Sequence, residues 1–178
     1  MANPKSAYSI PTKKGKPDTH IIVVWVDNES GVLARVVGLF SGRGYNIESL
    51  AVAEVDATKN ISRITIVTTG TPPVLAQIKA QLDRMVPVFE VHDLTEEGKT
   101  VERELALFSV KGTGNKRVEA LRLADIFRAN VVDSTLVSFV FELTGTSEKI
   151  DAFADLMQPL GLMEIARTGI AALGRGNI

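Results

Sequence analysis

Six consecutive apolar residues, Ile21 to Val26, run into the polar stretch Asp27-Asn28-Glu29-Ser30-Gly31 and then into Val32-Leu33-Ala34-Arg35-Val36-Val37-Gly38-Leu39-Phe40. The apolar run reads as a buried strand. Leu33, Val36, Val37 and Phe40 fall on one face of a helix over Val32–Arg43, and Gly44 is placed to stop it. A second strand is expected from Asn46 to Val55. Strand, loop, helix, stop and strand follow one another with few residues to spare, so the loop and the turn are tightly specified. A helix opening at Gly31 leaves its first backbone N–H groups unpaired, and those groups favour an anion such as a carboxylate.

The flanking sequence completes a unit. A first strand over His20–Val26 precedes the helix. A polar turn at Asp56–Asn60 leads to a third strand, Ile61–Thr69, with Ile61, Arg63, Thr65 and Val67 on one face and Ser62, Ile64, Ile66 and Thr68 on the other. Thr71 reads as the N-cap of a second helix with Pro72 at its first position, and Leu75, Ile78, Leu82 and Met85 form its apolar stripe. Val86–Leu94 is expected as a fourth strand. The order is βαββαβ, the ferredoxin-like arrangement.

A second unit repeats it. Strands are expected at Glu104–Lys111, Val131–Thr135, Val137–Thr144 and Leu162–Thr168, with helices at Lys116–Ala129 and Thr146–Pro159. Thr69-Gly70-Thr71 aligns with Thr144-Gly145-Thr146, and at the same offset Leu75, Ile78, Leu82 and Met85 meet Ile150, Phe153, Met157 and Leu160. The expected fold class is therefore α+β with two ferredoxin-like βαββαβ units. The division is a disordered extension over 1–19, a first domain at 20–94, a polar Gly-containing linker at 95–100 and a second domain at 101–175.

Composition excludes several classes. Net charge is −1 with a pI near 6.1, which argues against a general nucleic-acid or anionic-membrane binder. Cysteine is absent, which removes disulfides, thiolate metal sites and thiol nucleophiles. No apolar run approaches the ~20 residues that span a bilayer. Residues 1–19 carry lysines and prolines without an apolar core, unlike a secretory signal, and lack the arginines of a transit peptide. A cytoplasmic location is the expectation.

Asn28, Gly31 and Val32 are candidate ligand residues. The amides at Gly31 and Val32 suit a carboxylate, and the Asn28 amide can serve both charges of a zwitterion. Asn46, beyond the helix, can reach a neighbouring chain's loop if two sheets pair edge to edge. Each residue also has a plain alternative as a cap, turn or strand start. His20 and His92 are the only histidines and read as ordinary sheet residues. Gly112-Thr113-Gly114-Asn115-Lys116-Arg117 follows a strand and opens a helix, but it lacks the third glycine and the acidic residue of a dinucleotide site. Phe139 and Phe141 alternate as RNA-stacking aromatics would, yet the accompanying basic-aromatic pattern is missing, so both are expected in the core.

The run Asn28-Glu29-Ser30-Gly31-Val32-Leu33-Ala34-Arg35-Val36, followed by Gly38-Leu39-Phe40-Ser41 and Arg43-Gly44-Tyr45-Asn46-Ile47-Glu48-Ser49-Leu50, resembles the ACT domain of the regulatory small subunit of acetohydroxyacid synthase (acetolactate synthase). Ser62-Arg63-Ile64-Thr65-Ile66, Val101-Glu102-Arg103-Glu104-Leu105 and Glu164-Ile165-Ala166-Arg167-Thr168-Gly169 extend the resemblance from about residue 20 to 175. It implies a homodimer through paired ACT domains, with valine or another branched-chain amino acid at their interface. Asn28, Gly31, Val32 and Leu33 would come from one chain, and Asn46 and Ile47 from the other. It further implies a non-catalytic subunit, without metal or cofactor, that activates a catalytic large subunit carrying thiamine diphosphate, Mg and FAD and confers feedback inhibition on it. An amino-acid sensor acting on a different enzyme and a non-sensing assembly subunit are the competing readings.

Overall fold

A computed structural model describes residues 16–176. The expected extension thus lies largely outside the described residues, and Asp18 and Thr19 already belong to the first strand. The first unit comprises β1 (Asp18–Asp27), α1 (Val32–Ser41), β2 (Ser49–Asp56), β3 (Ile61–Gly70), α2 (Pro72–Leu82) and β4 (Val88–Asp93). Its antiparallel sheet has the order β2-β3-β1-β4. The second unit comprises β5 (Thr100–Lys111), α4 (Asn115–Phe127), β6 (Asn130–Ser134), β7 (Ser138–Gly145), α5 (Ser147–Met157) and β8 (Leu162–Arg167), ordered β6-β7-β5-β8. The βαββαβ repeat is therefore real.

Its two halves coincide in detail. Gly70 and Gly145 end β3 and β7, and Thr71 and Thr146 are the extended N-caps of α2 and α5. Leu75, Ile78 and Leu82 are buried in one core as Ile150, Phe153 and Met157 are in the other. Phe153 anchors the second core, its ring 4.8 Å from Phe108 and 5.2 Å from Phe127. Phe139 and Phe141 lie in that core, as expected.

Several boundaries differ from expectation. β2 begins at Ser49 rather than Asn46, because the Thr68 hydroxyl donates to the Asn46 carbonyl at 2.6 Å and removes it from the ladder. β4 begins at Val88 rather than Val86, since the Val88 amide turns back to the Met85 carbonyl. The expected helix to Pro159 ends at Met157 and tightens into a single 3₁₀ turn over Gln158–Leu160, which Gly161 closes at φ 110°. Glu104–Lys111 grows into a twelve-residue strand.

The stretch 95–100, expected as a linker, is ordered. Asp93 caps a one-turn helix, α3 (Leu94–Glu97), by accepting from the Thr95 and Glu96 amides, and Thr100 already starts β5. Residues 100–103 leave the second sheet to pair with β9 (Ala171–Gly174), a strand the sequence reading did not anticipate. Ala172 of β9 packs with Ile21, Val23, Val67 and Leu94 against the sheet face opposite the helices. That arrangement explains the unbroken apolar run in β1. Ile22, Val24 and Val26 serve the helix-side core, whereas Ile21 and Val23 serve the layer closed by β9.

Candidate functional site

The loop between β1 and α1 is anchored from two sides. Glu29 and Val32 donate their amides to Asp27 O (3.0 Å) and Glu29 O (3.4 Å), forming tight successive turns. Across the loop, the Asn28 amide donates to Asn60 O at 2.8 Å, and Asn60 Nδ2 donates to Asn28 O at 3.1 Å. Asn60 adopts φ 55° at the end of the β2–β3 turn. Asp56 shapes that turn: its Oδ1 accepts from the Thr58 hydroxyl and from the Thr58 and Lys59 amides. The Thr58 hydroxyl foremost, with the Lys59 amide, holds the Asp56 carboxyl below the usual carboxylate range.

Gly31 is the N-cap of α1 at φ 88°, and open space surrounds the position a Cβ would take. Among the described residues, no hydrogen-bond acceptor is found for the Gly31, Leu33 and Ala34 amides. These orphan donors and the helix dipole make an exposed anion-accepting end. Asn28 is exposed beside them, and Leu33 is 41% exposed. Val32, by contrast, is buried at 3%, so its side chain belongs to the core and only its backbone faces the loop.

The other candidates sit at the far end of the same helix. The Tyr45 amide returns to Phe40 O, and Gly44 takes φ 67°, so the chain leaves α1 by a glycine-dependent turn. Asn46 is exposed, while Ile47 is half-buried against the helix-side core. Ten helical residues span about 15 Å, so the structure does not bring Asn28 and Asn46 of one chain together. β2 is the edge strand beside them, with Val52–Val55 exposed and none of its residues fully buried.

A second polar cluster escaped the sequence reading. His20, expected as an ordinary sheet residue, is buried with its Nδ1 2.7 Å from Asp93 Oδ2, and Lys79 Nζ bonds both Asp93 and Glu96. Burial pushes the Asp93 carboxyl up, but hydrogen bonds from His20 and Lys79 outweigh it and leave the carboxyl below its ordinary value. His20, Asp93 and Glu96 gather closely enough to suggest a cation site, but the Lys79 ammonium already occupies the position between the two carboxylates. The cluster ties α2 to α3. Only the pairing across 73 residues reveals it, and no local sequence signal could have.

The sheet order and the repeated βαββαβ unit define a protein built of two ferredoxin-like units. A family model described as an AHAS small subunit-like ACT domain matches residues 22–90, and one described as the small subunit of acetolactate synthase matches residues 103–176. A probable acetolactate synthase small subunit of Archaeoglobus fulgidus is 46% identical over 158 residues, covering 89% of this chain and 98% of that one. The acetolactate synthase isozyme 3 small subunit of Escherichia coli is 45% identical over 158 residues, covering 88% and 96%. The crystal structure of the acetolactate synthase small subunit from Thermotoga maritima superposes with a TM-score of 0.80 at 36% identity, covering 90% of this chain and 99% of that one. The chain belongs to the acetolactate synthase small-subunit family.

Proposed function

We propose that this chain is a regulatory subunit that binds a branched-chain amino acid between the ACT domains of two copies and transmits its occupancy to a catalytic large subunit. The observation that carries the reading is the separation of Asn28 and Asn46 along α1, with the free edge of β2 alongside. An antiparallel pairing of two β2 edges brings the Asn28 loop of one copy toward the Asn46 segment of the other. The effector's carboxylate would take the Gly31 and Leu33 amides, Asn28 and Asn46 would serve its polar groups, and Leu33 would face its aliphatic side chain. Val32, expected to offer its amide, is core instead, with that amide spent on Glu29 O, and Ile47 supports the segment from beneath.

The subunit acts without a catalytic constellation of its own. Thiamine diphosphate, Mg and FAD belong, on this reading, to the large subunit, and the assembly works in the cytoplasm. The small subunit raises the partner's activity, and valine or a related effector lowers it by favouring one dimer arrangement.

The test is a melting-temperature screen of the purified protein against the twenty amino acids, followed by activity of the reconstituted holoenzyme. A ligand that binds only the folded state raises the melting temperature with the logarithm of its concentration once that exceeds Kd. A shift with valine, leucine or isoleucine, accompanied by inhibition, supports the reading. Activation of the large subunit without response to any amino acid would instead make the chain an assembly subunit.

A further inference from the structure

The segment that follows β8 meets the start of β2, just beyond the Asn46–Ile47 half of the proposed effector site. Ser49, two residues beyond Ile47 and the first residue of β2, accepts a hydrogen bond at its Oγ from the Ile170 amide at 2.9 Å. Gly169, at φ 82°, lies so close that a Cβ there would stand 2.8 Å from Ser49 Oγ and 3.2 Å from Leu50 O. Thr168, one residue earlier, is locked to β5, its amide donating to Leu105 O at 3.0 Å and its hydroxyl accepting from the Leu105 amide at 3.1 Å. Arg167 completes the anchorage by pairing with the buried Glu104 and with Asp151. Glu104, Arg167, Thr168, Gly169 and Ser49 together line one cleft of about 470 Å³ between the two units.

We infer that Ser49 is the coupling residue of this subunit: through Gly169 and Ile170 it joins the Asn46–Ile47 half of the effector site to the second unit. The inference rests on the reading of the chain as an effector-binding subunit. Coupling needs an element that both sites can bias. The start of β2 is such an element: Glu48 donates the first cross-strand bond to Val67 O at 2.8 Å, and at the next residue, Ser49, the chain also meets the second unit. A displacement of Asn46 and Ile47 by ligand therefore moves a residue whose hydroxyl holds Ile170. The glycine requirement at 169 follows from the same contact, since a side chain there would separate the two segments. The Arg167-Thr168-Gly169 sequence thus acquires a role that strand formation alone does not require.

The experiment compares wild type, Ser49→Ala, Ser49→Thr and Gly169→Ala as full-length protein. Valine binding is read by thermal shift, oligomeric state by sedimentation, and valine inhibition after reconstitution with the catalytic subunit. The proposal expects Ser49→Ala and Gly169→Ala to bind valine with an unchanged midpoint and to remain dimeric. Inhibition at saturating valine should weaken by about 2- to 30-fold, the span over which mutations within coupling networks act. Ser49→Thr, which keeps the hydroxyl, should restore it. Unchanged inhibition in both weakened variants would overturn the proposal. Joint loss of binding and inhibition in Ser49→Ala would also overturn it, placing Ser49 in the binding site or the dimer interface. A wild-type protein that binds no amino acid would refute the effector reading itself, a result visible before any variant is made.

Discussion

Asn60 holds Asn28 through both of its polar backbone groups, accepting from its amide at 2.8 Å and donating to its carbonyl at 3.1 Å. The loop before α1 is therefore positioned by a turn thirty-two residues away as well as by its own tight turns. Replacement of Asn60 by Gly keeps the positive φ accessible but removes the side-chain donor. Valine affinity should fall about 2- to 10-fold, the worth of one hydrogen bond, with little change in melting temperature. Titration by thermal shift checks it.

Gly31→Asp should abolish the valine response, because its carboxylate would compete for the same amides as the ligand's. The site is sterically open, so the cost to folding comes only from φ 88° and is about 1–2 kcal/mol. Activation of the catalytic subunit should survive. Retained valine inhibition in a folded variant would move the effector site away from α1.

Gly161 is the most demanding glycine among the described residues. A Cβ there would lie 2.0 Å from Lys111 O, at a φ of 110° that L-residues rarely adopt. Gly161→Ala should cost roughly 2–5 kcal/mol through strain and overpacking at the turn into β8. Urea unfolding checks it, and an unperturbed midpoint would contradict the close approach.

Phe153→Ala should destabilise the second unit by about 3–5 kcal/mol, since it empties the centre of the Phe108, Phe127 and Phe141 cluster. The expected signature is a lowered calorimetric transition.

Lys79→Met tests the charge cluster through its pH dependence. The Asp93 carboxyl is depressed, so its contribution is present above the ordinary value of 3.8 and is lost as pH falls through the lowered one. For Lys79, burial acts downward but hydrogen bonds to Glu96 and Asp93 prevail and raise it, so its contribution is present below 10.5 and is lost only above the raised value. The variant should be roughly 1–3 kcal/mol less stable than wild type at neutral pH. The difference should shrink below pH 3.8 and above 10.5. A difference that does not vary with pH would show that Lys79 acts through its packing alone.

Much of this architecture was legible because period and punctuation agree locally. The Thr-Gly-Thr repeat located α2 and α5, and Gly31 and Gly44 bracketed α1. What escaped depends on partners distant in sequence. β9 is four residues long, and its place follows from pairing with residues 100–103. The start of β2 was misjudged because the Thr68 hydroxyl, twenty-two residues on, takes the Asn46 carbonyl. The candidate site was legible as residues but not as geometry. Val32 looked like a pocket residue and is core, while Asn60, which orients the loop, looked like the end of a turn.

The central strand β1 serves two cores, and one of them is closed by residues near the end of the chain. During synthesis the first unit leaves the ribosome with Ile21, Val23 and Val67 covered only by Trp25 and Leu94. It stays so until the whole second unit has been made and β9 follows it out. The order of the chain thus sets an order of completion, in which the first unit is finished last although it is made first.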